Sequence, residues 1–148
     1  MPAGRGRGVA LHNTFGIPAA QVADITIGPD GKVKVDRVVC AIDVGIAINP
    51  DIIRAQVEDG IGFGLSAVLY GEITLKDGLV EQSNFNDYRM IRMKDMPVIE
   101  VHIVPSTESP RGIGEPTVPP LAPAIANAIF AATGKRVRNL PLSKADLA

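Results

Sequence analysis

Residues 23–36 read Ala23-Asp24-Ile25-Thr26-Ile27-Gly28-Pro29-Asp30-Gly31-Lys32-Val33-Lys34-Val35-Asp36. Ala23, Ile25 and Ile27 alternate with Asp24 and Thr26, and beyond Gly28 to Gly31 the alternation resumes as Val33 and Val35 between Lys32, Lys34 and Asp36. Period-two alternation on both sides of a Pro-Asp-Gly turn predicts a β-hairpin. The second strand then turns continuously apolar through Val38, Val39, Cys40, Ala41 and Ile42. A strand apolar on both faces is buried on both faces, so it belongs in the interior of a sheet.

Downstream, Asn49-Pro50-Asp51 combines an Asn side chain that accepts an unpaired N–H, a Pro where no N–H is needed, and an acid at the positive end of the helix dipole. Ile53, Val57, Ile61, Leu65 and Val68 follow at helical spacing, predicting a helix to about Tyr70. Gly60, Gly62 and Gly64 interrupt it, each at a cost of roughly 0.5–1 kcal/mol relative to Ala, so something requires a bare backbone there. Ile73 and Leu75, then Lys76-Asp77-Gly78, then Leu79 and Val80 read as a second hairpin. Ile99, Val101 and Ile103, alternating with Glu100 and His102, read as one more strand. Residues 82–97 are polar and unpatterned, the signature of a long ordered loop. Ile125, Ile129 and Ala132 lie at helical spacing after Pro123, and Gly134 followed by Lys135 and Arg136 closes that helix. Gly4-Arg5-Gly6-Arg7-Gly8 has no strand before it and no helix after it, so it is neither a dinucleotide nor a phosphate fingerprint and reads as a connecting loop. The expected class is α+β: a mixed or antiparallel sheet with two helices packed on one face.

Composition narrows the function classes. The chain has 148 residues, 46% hydrophobic and 21% charged, which suits about one folded domain. Lys+Arg 15 against Asp+Glu 16 gives a net charge of -1, without the basic excess that a nucleic-acid partner requires. One cysteine, Cys40, and two histidines, His12 and His102, offer neither a disulfide framework nor a zinc spacing. The longest uncharged stretch, 116–134, contains Pro116, Pro119, Pro120 and Pro123, so no transmembrane segment is expected. The opening residues contain no secretory signal, which leaves the compartment open.

Chemistry concentrates in Ser109-Pro110-Arg111-Gly112-Ile113-Gly114-Glu115-Pro116, between a strand and the last helix. Gly112 and Gly114 allow close approach of the backbone to a ligand, and Pro116 stiffens the chain behind Glu115. The Glu115 carboxylate reads either as a general base or as a cap of the following helix. Gln56, one turn before Gly60, reads either as a donor and acceptor toward whatever the glycines admit or as a surface residue. The glycines at 60, 62 and 64 admit a ligand or an opposing backbone equally well. Asn84, Asp87, Tyr88 and Arg89 form a polar cluster able to pin the long loop.

Ala41-Ile42-Asp43-Val44-Gly45 through Ile48-Asn49-Pro50, then Gln56-Val57-Glu58-Asp59-Gly60-Ile61-Gly62-Phe63-Gly64-Leu65, Asn84-Phe85-Asn86-Asp87-Tyr88-Arg89, Gly112-Ile113-Gly114-Glu115-Pro116 and Ala122-Pro123-Ala124-Ile125-Ala126-Asn127-Ala128 occur in family order and spacing. Together they resemble the C-terminal part of the molybdopterin-binding subunit of the xanthine dehydrogenase and aldehyde oxidase family. The ending Phe130 to Leu142 is most similar to the branch that contains the isoquinoline 1-oxidoreductase β subunit. The resemblance covers nearly the whole chain, so residues 1–148 are expected to form the C-terminal portion of a molybdopterin-binding domain. It implies a molybdenum hydroxylase that oxidises an aldehyde or an N-heterocycle with water as the oxygen source. Glu115 matches the family's catalytic base. Gln56 matches a residue that hydrogen-bonds the cofactor, and Gly112, Gly114 and Gly60 lie where the family's backbone comes close to it. The implied cofactor is a molybdopterin, in bacterial branches usually the cytosine dinucleotide form. The implied partners are the remainder of the molybdopterin-binding subunit and an iron–sulfur electron-transfer subunit, because this chain has none of the cysteines that clusters need. Asp59 stands where the family commonly has Gly. The family's subunit is several times longer, so the chain is expected to be a fragment, a separate domain or one piece of a split subunit, and by itself a non-catalytic module of the same fold is the alternative function.

Overall fold

A computed structural model describes residues 1–145 and 147. Strands β1 (Arg5–Thr14), β2 (Ile17–Ile27) and β3 (Val33–Ile42) run antiparallel in chain order; helix α1 (Pro50–Leu69) follows. A two-stranded ribbon, β4 (Leu75–Lys76) with β5 (Leu79–Val80), precedes strand β6 (Val98–Ile103) and helix α2 (Leu121–Thr133). The four-stranded sheet has the order β1-β2-β3-β6, with β6 parallel to β3. The fold is α+β, a mixed sheet whose inner face is covered by the two helices.

The hairpin at 23–36 is present as β2 and β3, with a register shift between Asp24 and Ile25 and a turn closed by Gly28 N–H donating to the Lys32 carbonyl at 2.9 Å. The apolar run at 38–42 lies in the interior strand β3. In α1, the Asn49 side chain accepts the N–H groups of Asp51 and Ile52, both at 3.1 Å. That leaves Ile53, Val57, Ile61 and Leu65 on the buried face, where each contributes roughly 1.5–3 kcal/mol relative to exposure. Helix α2 ends on Gly134 at φ 73°, whose N–H returns to the Phe130 carbonyl at 2.8 Å.

One expectation is corrected. The Gly-Arg-Gly-Arg-Gly segment is not a connecting loop; it begins β1, an edge strand that packs directly beneath α2. The two buried positions of β1, Gly6 and Gly8, are glycines because the helix backbone occupies the space of their side chains. A Cβ at Gly8 would lie 2.7 Å from the Asn127 carbonyl carbon, and one at Gly6 2.9 Å from that of Ala128. The outward Arg7 is explained equally locally, its Nε meeting Asp24 at 2.6 Å; on β3, Arg37 holds Glu100 through two bonds of 2.6 and 2.7 Å across the outer face of the sheet.

The three glycines of α1 admit protein. A Cβ at Gly60 would run into the Thr117 hydroxyl; one at Gly64 would come within 3.2 Å of Leu121 and one at Gly62 within 3.4 Å of Met96. In residues 82–97 the polar cluster does pin the loop. Asp87 accepts the N–H groups of Ser83 and Asn84 at 2.9 Å, which holds its carboxyl below the usual range, and the Arg89 guanidinium stacks 3.7 Å above the Tyr70 ring. His12 and His102 are exposed, while Cys40 is buried in the core, and burial pushes its thiol up to about 11. No group of three or more metal-ligating side chains occurs among the described residues. No helix there is long and apolar enough to cross a membrane.

Candidate functional site

The loop carrying Glu115 is fastened on both sides. Asp43 Oδ1 accepts the N–H of Gly45 at 2.9 Å and shapes the turn after β3. Gly45, at φ 73°, lies so close to the 108–109 backbone that a Cβ would come 2.7 Å from the Glu108 carbonyl oxygen. Ile46 N–H then donates to Glu108 O and Arg111 N–H to Val44 O, both at 2.9 Å. The Ala41 to Pro50 motif therefore works as an anchor for residues 108–111. The Arg111 guanidinium in turn donates to the Gly16 carbonyl in the β1–β2 turn. Behind Glu115, Pro116 and Thr117 are buried, and Val118 N–H closes a turn onto the Glu115 carbonyl at 2.9 Å.

Three segments meet around a cavity of about 460 Å³. The β1–β2 turn supplies Thr14 and Phe15, α1 supplies Asp59, Gly60 and Phe63, and the pinned loop supplies Gly114, Glu115, Val118 and Pro119. Phe15 adopts φ 54°, a left-handed conformation unusual for a bulky residue, and its ring is 79% exposed at the cavity wall. Backbone strain of this kind gathers at functional sites. Phe63 is 68% exposed on α1 at the same cavity. The Thr14 hydroxyl is buried and unpartnered.

Glu115 is exposed, and its carboxylate makes no hydrogen bond or ion pair with any described residue. Helix α2 starts at Leu121 on Pro120, with no side-chain cap, which removes the helix-cap alternative. Among the other residues singled out in the sequence, Gly114 and Gly60 share the cavity with Glu115. Gly112 and Gly114 both face open space, with nothing within 4 Å of a Cβ built on either. Gly112 and the half-buried Gln56 do not line the cavity.

Sequence reasoning missed Thr14, Phe15 and Gln21. Phe15 and Gly16 form a two-residue turn between strands, a signal obscured once the glycine-rich start of β1 reads as loop. Gln21 interrupts the buried series Ile17, Ala19, Ala23 and Ile25 on the inner face of β2, and a polar residue at an inward position is itself a signal.

Residues 4–97 match the family described as molybdopterin cofactor-binding domain. The beta subunit of isoquinoline 1-oxidoreductase from Brevundimonas diminuta is 40% identical over 116 residues, covering 78% of this chain and 15% of that protein. A nicotinate dehydrogenase subunit of Pseudomonas putida is 36% identical over 149 residues, covering 94% of this chain and 13% of that protein. Among solved structures, the aldehyde oxidoreductase of Desulfovibrio desulfuricans superposes with a TM-score of 0.72 at 26% identity, over 85% of this chain and 14% of that one. The chain thus spans about one seventh of the length of these relatives. With more than half of its residues matching the family pattern and the fold shared by a solved aldehyde oxidoreductase, the chain belongs to the molybdopterin cofactor-binding domain family of the xanthine dehydrogenase and aldehyde oxidase group.

Proposed function

We propose that residues 1–148 are the C-terminal portion of the catalytic subunit of a molybdenum hydroxylase that oxidises an aldehyde or an N-heterocycle with water as the oxygen source, and that Glu115 is its general base. The observation that carries this reading is an unpartnered carboxylate on a loop pinned at both ends, at the edge of an apolar cavity. The residues present fit a molybdopterin. Gly112 and Gly114 offer bare backbone in open space, Phe15, Phe63 and Val118 offer apolar walls for a flat ring, and the Thr14 hydroxyl lacks a partner. The cavity lining includes Asp59 and Glu115 but no Lys or Arg, so it suits the ring end of such a cofactor and not its phosphates.

When bound, the molybdenum cofactor supplies the redox centre that accepts two electrons from the substrate. Glu115 takes a proton from the attacking oxygen and holds it on a carboxylate oxygen, a role open to it because no cation or N–H occupies that oxygen. The fastened loop keeps the carboxylate in place, which limits reorganisation during the proton transfer. Phe15 and Phe63 give the same space apolar walls. Gln56 lies outside this cavity, and its proposed hydrogen bond, which rests on the family resemblance, goes to a part of the cofactor beyond it. The cytosine dinucleotide form and an iron–sulfur partner complete the proposal: Cys40 is the single cysteine of these residues, is buried and is held as a thiol, so electrons leave through groups held outside them.

Molybdenum analysis tests the assignment. The isolated chain is expected to fold and to retain no stoichiometric molybdenum, since its cavity is a single open wall. Reconstitution with the remainder of a molybdopterin-binding subunit is expected to retain the metal. A reconstituted complex that assembles without molybdenum would favour the structural module of the same fold.

A further inference from the structure

Gln21 is fully buried at an inward position of β2, between Ala19 and Ala23. An apolar side chain would satisfy this part of the core, whereas an amide brings polar atoms that are costly to leave without partners. Its Oε1 has no hydrogen-bond partner among the described residues. Its Nε2 donates out of the sheet to the backbone carbonyl of Thr117, at 2.7 Å. Thr117 is itself fully buried, and its side chain sits in the notch left by Gly60, where its hydroxyl is unpartnered. The notch restricts Thr117 by shape alone, and the Gln21 bond fixes its carbonyl.

Only Pro116 separates Thr117 from Glu115. Proline fixes one of the two soft torsions across that step, so a displacement of Thr117 passes to Glu115 with little loss. The turn from Val118 N–H to the Glu115 carbonyl makes the segment rigid. We infer that Gln21 is a positioning residue for Glu115: from the middle of the sheet it sets the location of the base through the Thr117 carbonyl. This inference rests on the reading of Glu115 as the base, and it adds a residue that makes no contact with the cavity.

The test uses Gln21→Met, which keeps volume and removes the donor, and Gln21→Glu, whose protonated acid keeps one. In the isolated chain, hydrogen exchange of the Val118 amide is the readout independent of cofactor. Gln21→Met is expected to speed that exchange about tenfold or more as the turn opens, and Gln21→Glu to restore slow exchange at pH values where the introduced acid is protonated. In a complete molybdenum-containing subunit carrying this chain, Gln21→Met is expected to lower kcat about tenfold to a hundredfold with KM and metal content unchanged. The same substitution placed on Glu115→Gln is expected to lower kcat no further, because the group it positions is already gone. If Gln21→Met does not fold, the pH dependence of Gln21→Glu, in exchange and in kcat, carries the test. Wild-type exchange and kcat in Gln21→Met would overturn the inference. So would an equal further loss on the Glu115→Gln background, the mark of a general structural defect. Full turnover in Glu115→Gln alone would instead overturn the base assignment, leaving the exchange result to report on the strap by itself.

Discussion

Replacing Gly8 by Ala perturbs a place where strand β1 and helix α2 touch backbone to backbone. The new Cβ would lie 2.7 Å from the Asn127 carbonyl carbon and nearer still to the Ala124 oxygen and the Ala128 nitrogen. Carbon atoms pack at about 3.5–4.0 Å, so the overlap is about 1 Å, and none of the blocking atoms belongs to a side chain that can rotate away. Helix α2 must therefore retreat from β1, loosening Leu121, Ile125 and Ile129, all fully buried. Overpacking of this kind costs roughly 1–3 kcal/mol, and removing a glycine from a strand interior returns about 0.5–1 kcal/mol. The net expectation is a loss of about 1 kcal/mol, which for a chain of this size lowers Tm by about 2–4 °C in calorimetry or a circular-dichroism melt. Gly114→Ala is the internal control. Nothing lies within 4 Å of its Cβ, so its stability is expected to stay within about 0.5 kcal/mol of wild type. Equal melting temperatures for Gly8→Ala and wild type would refute the packing of α2 on β1.

Acid stability gives a second expectation. The hydrogen bond from Arg7 holds the Asp24 carboxyl below its ordinary range, and that from Arg37 does the same for Glu100. A carboxylate with a depressed folded pKa contributes stability that is complete above the unfolded value of about 4 and is lost as the pH falls through the lower folded value. Urea unfolding between pH 5 and 3 should therefore show a shallower loss in an Asp24→Asn, Glu100→Gln double variant than in wild type; parallel losses would count against these ion pairs. A third concerns Gln56: in a complete subunit, Gln56→Ala should reduce molybdenum retention more than turnover per bound metal, because a hydrogen bond lost with its partner left unpaired costs about 1–3 kcal/mol of binding. Unchanged occupancy would remove the residue from the cofactor contacts.

What could be read from the sequence followed where side chains carried the information. Asn49-Pro50-Asp51 announced α1, because a cap is a local chemical requirement, and the alternation of Ala23 to Val35 announced β2 and β3. Strand β1 was not legible, since its two buried positions, Gly6 and Gly8, have no side chain; the apolar bulk that signals a strand is provided by α2, more than a hundred residues along the chain. For the same reason Gly60 showed that a bare backbone was wanted without revealing that Thr117 would fill the space. The parallel pairing of β6 with β3 depends on a crossover through α1 that no local pattern encodes. Glu115 was legible as a residue on a stiff loop between two glycines and a proline. Its neighbours Phe15 and Thr14 were not, because they arrive from the opposite end of the chain, held there by the contact between Arg111 and Gly16.

The central claim is that Glu115 takes the proton in the oxidation, and turnover per bound molybdenum in Glu115→Gln tests it most directly. The amide keeps the shape of the carboxylate and lacks its basicity, and the Glu115 side chain makes no hydrogen bond or ion pair with any described residue. In a complete subunit, metal content and Tm are expected to match wild type while turnover per molybdenum falls by about 10²–10⁴-fold, the usual contribution of a well-placed general base. Near-wild-type turnover at full metal occupancy would contradict the account.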